Sequence, residues 1–198
     1  MADGAAGSPF HYKGGITMSN VKRPAWAEQS PAMQDYYDHY WGVPEHDDRR
    51  LFEMLSLELF QAGLTWRTIW ERRAAFERAF ANFDVDRVAA FTRDDIDWLC
   101  QDRTIIRNRR KISAVVANAR VVQDMQRAGR TFADYVWQFV DYQPQRLILG
   151  PDELLPAQTA QSQAMAKQFK AAGFKFVGPT IMYSFMTAVG LVNARLEI

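Results

Sequence analysis

Glu58 occupies an unusual place for a carboxylate. In the run Leu57-Glu58-Leu59-Phe60, helical spacing puts it on the face of Leu51, Leu55 and Ala62, which should be buried. An ionised carboxylate in such a place costs on the order of several kcal/mol unless it is paired. Either a Tyr, Trp or Arg satisfies it within the core, or it forms the base of a ligand pocket. There it could accept hydrogen bonds from an amino group or stabilise a cation. Trp26, Tyr36, Tyr37, Tyr40, Trp41 and Trp66 crowd the same third of the chain. Any one of these rings can be core packing. Together their flat faces and polar edges suit a flat, positively charged base, with stacking and cation–π attraction each supplying on the order of 1 kcal/mol.

Two connections between expected helices carry a second kind of chemistry. Arg103, Arg107, Arg109, Arg110 and Lys111 place five cations in nine residues at a helix entrance, a patch able to meet phosphates with Arg107 and Lys111 as leading contacts. Short charge clusters are also common as solvated turns. In Gly173-Phe174-Lys175-Phe176-Val177-Gly178-Pro179-Thr180 one helix should end at Gly173 and the next begin near Pro179. A hairpin of this kind exposes main-chain N–H groups, Gly178 permits close approach, and Lys175 and Thr180 add polar contacts, so it could grip one DNA phosphate. It could equally be an ordinary helix corner. The two turns together favour a nucleic acid.

These residues need a scaffold, and the pattern around them is helical. Asp47 and Asp48 can cap a helix over 49–62, and further helices are expected over 66–80, 85–91, 93–101, 110–127, 131–140, 162–172 and 180–190. Strand alternation is almost absent, and 143–161, with Pro144, Pro151 and Pro156, reads as a long loop. With 198 residues and 48% apolar content the chain can bury one sizeable core, so a single all-α domain is expected over 19–198. Residues 1–18, rich in Gly and Ala, read as a leader that takes no part in the fold. A net charge of +1 excludes a grossly basic nucleic-acid binder and leaves local clustering to decide. One cysteine and three histidines supply neither a disulfide framework nor a metal-ligand cluster. No run is long enough to span a bilayer, so a cytoplasmic protein without a membrane partner is expected.

Several stretches, in one order over most of the chain, resemble a known family. They are Tyr40-Trp41-Gly42-Val43-Pro44, Leu51-Phe52-Glu53-Met54, Gln61-Ala62-Gly63-Leu64-Thr65-Trp66, Ile105-Ile106-Arg107, Asn118-Ala119-Arg120, Gly173 to Gly178, Tyr183-Ser184-Phe185-Met186 and Gly190-Leu191-Val192-Asn193. Between about Arg23 and Asn193 the chain is similar to 3-methyladenine DNA glycosylase I, of the helix-hairpin-helix glycosylase superfamily. The resemblance implies an all-α helix-hairpin-helix fold, a compact domain with two lobes around a base-binding cleft. It implies a monofunctional glycosylase that flips an alkylated purine out of double-stranded DNA and hydrolyses its glycosidic bond. One inserting turn and one hairpin suffice for a monomer, and no cofactor is expected. Glu58 then matches the pocket carboxylate, Trp66 the ring that stacks on the base, and Trp26, Tyr36, Trp41 and Ser184 other pocket positions. Gly63 and Leu64 match a turn that enters the gap left by the flipped base. Asn193 falls near the place where most of the superfamily has a catalytic aspartate, which this family lacks.

The departures from the family bear on the same expectations. Its members hold a structural zinc through two Cys and two His, but the aligned residues here are Pro24, Tyr37 and Arg195, and the fourth position is missing. No zinc is therefore expected, with Tyr37 packing against the C-terminal segment as one way to hold the termini. Met33 replaces another pocket tyrosine, and Thr104 and Arg110 stand where glycines are usual. A non-catalytic binder of damaged or distorted DNA is the competing expectation.

Overall fold

The computed structural model describes residues 23–147 and 155–195, so the expected leader over 1–18 lies outside the described residues. The helices in chain order are α1 (Pro31–His39), α2 (Asp48–Gln61), α3 (Trp66–Trp70), α4 (Arg73–Ala79), α5 (Val85–Ala89), α6 (Arg93–Leu99), α7 (Arg109–Arg127), α8 (Phe132–Trp137), α9 (Ala160–Ala171) and α10 (Pro179–Ala188). The all-helical expectation holds. Beyond the expected helices the described residues form α1 and a two-residue parallel bridge between β1 (Gln145–Arg146) and β2 (Val192–Asn193), which ties the start of the expected loop to the C-terminal segment.

Local sequence sets most helix starts. Ser30, Asp47, Thr65, Asp84, Thr92, Asn108, Thr131 and Thr159 each accept a backbone N–H from the first turn that follows. The two helices without a side-chain cap are α4 and α10. α4 has none because it follows a kink. The single helix expected over 66–80 is two, separated at Glu71 and Arg72, where Arg72 takes φ −101° and ψ 5°. The break turns Arg73 inward. Its Nε donates to buried Glu53 at 2.6 Å, and its guanidinium lies 4.7 Å from the Tyr40 ring and 4.8 Å from the Trp70 ring. Tertiary pairing of one cation has overridden a helix-compatible sequence.

α2 is the shared element of the fold. It packs against α3, α7, α8 and α10, and every one of its residues from Leu51 to Phe60 is buried. Glu58 is therefore inside the core, as its apolar neighbours predict. α2 is also held at its N-terminus: the Asp48 carboxylate accepts from the Phe132 and Ala133 amides at 2.9 and 2.8 Å and from Gln126 Nε2 at 2.8 Å.

Candidate active site

Glu58 comes from α2, Tyr36 from α1 and Trp66 from the first residue of α3, so the site lies where three helices meet. Ring packing joins the aromatic residues into one body. Trp26 lies 6.2 Å from Tyr36 and 5.4 Å from Trp41, and Tyr36 lies 5.2 Å from Trp66, between ring centroids. The sequence missed Trp70, whose ring is 4.4 Å from Tyr36 and stacks 5.9 Å from Trp66. Its spacing of four residues from Trp66 was the signal for a shared helix face. Met33 is buried one turn before Tyr36 on α1. Ser184 is half-buried on α10, the helix packed against α2.

The polar atoms of this cluster are unusually poor in partners. Glu58 is 3% exposed and its Oε2 has no hydrogen-bond partner; the buried Trp66 Nε1 has none either. Of the two expectations for Glu58, a satisfied core carboxylate and a pocket group, this arrangement fits the second, because natural cores rarely leave such atoms unpaired. Burial raises the Glu58 carboxyl from 4.5 to about 8, so near neutral pH it is mostly protonated in the free protein. Burial also pushes the Tyr36 phenol well above its ordinary value, followed by the field of Glu58, while the Arg73 cation opposes both. A cation entering beside Glu58 would reverse the electrostatics and favour the carboxylate.

The turn after α2 carries Gly63 at φ +80°, a left-handed conformation that glycine adopts freely, and nothing lies within 4 Å of where its Cβ would be. It leaves Leu64 40% exposed at the tip, an apolar side chain projecting into solvent. The hairpin between α9 and α10 has the shape expected of it. α9 ends before Gly173, Lys175 is exposed, and Gly178 is the N-cap of α10 with no side chain bonded to the free N–H groups that follow. A Cβ on Gly178 would meet nothing within 4 Å, so the backbone here is open to a close ligand. Thr180 is exposed in the first turn of α10.

The basic turn divides differently from expectation. Arg103, Arg107 and Arg110 are exposed, and Arg109 pairs with Asp97. Lys111, expected beside Arg107 as a phosphate contact, is instead 6% exposed. Its Nζ donates to Phe60 O at 2.9 Å and Ala62 O at 2.6 Å. The helical phase of α7 explains this correction: Lys111 shares the inward face with Ala114, Val115 and Asn118, whereas Arg110 does not and Arg107 precedes the helix.

The residues aligned with the family's zinc ligands do not fit a metal. Arg195 Nη1 donates to the main-chain oxygens of Tyr37 and Trp41 at 2.6 and 2.7 Å, and its guanidinium lies 4.6 Å from the Tyr37 ring. A cationic side chain thus already fills the place, and Tyr37 does pack against the C-terminal segment. Among the described residues no group of three or more His, Cys, Asp or Glu could hold a metal ion. Asn193 Oδ1 accepts from the Arg195 amide at 3.1 Å, a local turn bond.

The comparisons agree with this geometry. A family model described as methyladenine glycosylase matches residues 26–198. The chain is 46% identical over 173 residues to DNA-3-methyladenine glycosylase 1 of Escherichia coli (strain K12), covering 87% of this chain and 92% of that protein. A crystal structure of 3-methyladenine DNA glycosylase I superposes with a TM-score of 0.86 at 46% identity, covering 89% of this chain and 97% of that one. A variant of 3-methyladenine DNA glycosylase I, solved in complex with 3-methyladenine, superposes with a TM-score of 0.84 at 34% identity, covering 87% and 93%. With its buried carboxylate, ring cluster and uncapped hairpin in place, and with the family matched over nearly all of its length, the chain belongs to the methyladenine glycosylase family.

Proposed function

We propose that this chain is a DNA glycosylase that removes 3-methyladenine from double-stranded DNA by hydrolysing the N-glycosidic bond, the first step of base excision repair. The observation that carries the reading is the pairing of buried Glu58, whose Oε2 has no partner, with an unpartnered Trp66 Nε1 inside one ring cluster. That site has hydrogen-bonding capacity waiting for a flat, polar ligand. Such pockets can read a base only after it has left the stack. Glu58 binds the methylated base, Trp66 stacks on it, and Trp26, Tyr36, Trp41 and Ser184 complete the pocket wall. Leu64, presented by Gly63, fills the vacated space in the duplex. The N–H groups after Gly178, with Thr180, Lys175 and Arg107, hold phosphates.

The chemistry needs little more than this. An adenine alkylated on a ring nitrogen is already cationic in DNA. Breaking the bond from the sugar carbon to the base leaves its electron pair on the base, which departs neutral. The sugar becomes oxocarbenium-like and takes hydroxide from water, whose proton passes to solvent. Orientation of the water and base and a nearby carboxylate to offset positive charge supply the catalysis. No covalent lysine intermediate is required, so the enzyme is monofunctional. It needs no cofactor and acts in the cytoplasm as a monomer; no described helix is long and apolar enough to cross a membrane.

Base release from methylated duplex DNA tests the reading, comparing the parent with Glu58→Gln and Trp66→Ala and identifying freed bases by chromatography. Release of 3-methyladenine by the parent and much less by the variants is expected. A folded parent that binds methylated duplex and releases nothing overturns the enzyme and leaves a lesion-binding protein.

A further inference from the structure

Lys111 and Asn118 lie seven residues apart on α7, nearly two turns, so their side chains leave one face about 10 Å apart along the axis. Both are polar and both are buried, at 6% and 1% exposure. The rest of that face, including Ala114, Val115 and Val122, is apolar, and packing alone would be served by more of the same. What the two polar groups add is a hold on main chain elsewhere. Lys111 Nζ takes the carbonyls of Phe60 and Ala62, at the end of α2 and immediately before Gly63. Asn118 makes a two-way clamp on the hairpin: its Oδ1 accepts the Lys175 amide at 2.8 Å and its Nδ2 donates to Lys175 O at 3.2 Å. Neither segment is regular, with Gly63 at φ +80° and Phe176 at φ +57°. A left-handed conformation at a non-glycine residue such as Phe176 persists where its surroundings fix it.

We propose that α7 is a spacer that sets the distance and orientation between the Leu64 turn and the Lys175 hairpin, with Lys111 and Asn118 as the positioning residues. The inference rests on the DNA-glycosylase reading. A duplex is stiff and its phosphates are regularly spaced, so a turn entering the stack and a hairpin on the backbone engage it together only in one relative placement. A turn free to swing would forfeit the benefit of holding both contacts at once. The base pocket, built by α1, α2 and α3, needs neither clamp.

The test compares the full-length parent with Lys111→Met, Asn118→Leu and the double variant, each of near-native shape without the polar atoms. Free 3-methyladenine binding is followed by quenching of tryptophan fluorescence. Binding to a methylated duplex is measured in parallel. Each single variant is expected to weaken duplex binding about tenfold while free-base affinity stays within about twofold, because only backbone clamps are lost. The double variant should weaken it by clearly less than the product, since a second clamp matters little once register is gone. Equal losses for free base and duplex would make both residues general core supports and overturn the proposal. So would parent-like duplex binding, or strictly multiplicative effects. Should Asn118→Leu fail to fold, Asn118→Asp keeps an acceptor for the Lys175 amide; an intermediate loss is expected, and parent-like duplex affinity overturns the role. A folded parent that binds neither free base nor duplex overturns the glycosylase reading, and this proposal with it.

Discussion

Glu58→Gln removes a carboxyl that the free protein keeps protonated up to about pH 8, against an ordinary value of 4.5. The cause is burial, so the same group must influence folding. Below pH 4.5 it is neutral in the folded and unfolded chain alike, and its contribution to stability is fully present. As the pH rises towards 8 the unfolded chain gives up the proton while the folded one retains it, and that contribution is lost. Over the whole window the loss is on the order of 5 kcal/mol. Glutamine has nearly the same shape and does not ionise. Urea unfolding at several pH values should therefore show the variant gaining a few kcal/mol over the parent between about pH 5 and pH 8. A difference that stays flat across that window refutes the neutral carboxyl. The same variant should lose about 10- to 100-fold in kcat/KM on methylated DNA, the worth of a buried hydrogen bond to a charged group. Calorimetry in buffers of different ionisation enthalpy checks the link between the two effects. Binding of a methylated duplex near pH 7 should release protons from the parent, as the cationic base favours the carboxylate, and far fewer from the variant.

Leu64→Ala should change stability by less than about 0.5 kcal/mol, because the side chain is 40% exposed. It should still lower kcat/KM for duplex substrate, and release of base at the parent rate would remove Leu64 from the mechanism. Gly178→Ala has open space and an ordinary φ of −68°, so its melting temperature should match the parent's. Its duplex affinity, read by fluorescence anisotropy, should fall as the methyl group holds phosphate away; unchanged affinity would show that nothing approaches there. Arg195→Met loses two hydrogen bonds to main-chain oxygens and a cation–π contact, and should cost about 2 to 4 kcal/mol in urea unfolding. Added zinc should restore none of it, and recovery with zinc would contradict the reading of that corner.

Periodicity and capping made the helices legible because both are local. Asp47 caps where the sequence suggests. The break between α3 and α4 was not legible, since it depends on Arg73 reaching Glu53 twenty residues away. Glu58 could be singled out because a carboxylate amid Leu57, Leu59 and Phe60 contradicts its surroundings. Lys111 misled for the opposite reason. Its neighbours in sequence are exposed arginines, and only the phase of α7 and the carbonyls at the end of α2 reveal that it faces inward. The clamp by Asn118 joins positions 57 apart, a pairing that no local pattern encodes.

The anchoring of α2 has a consequence for how the protein tells damaged from undamaged bases. Asp48 ties the start of this helix to the start of α8. Glu58 rides on a beam anchored there and buried from Leu51 to Phe60. Such a carboxyl cannot shift to accommodate a visitor that presents the wrong edge. On the proposed role of Glu58, discrimination would come from refusal to adapt: a normal adenine would meet a fixed, neutral acid with no cation to offer it, and would return to the stack.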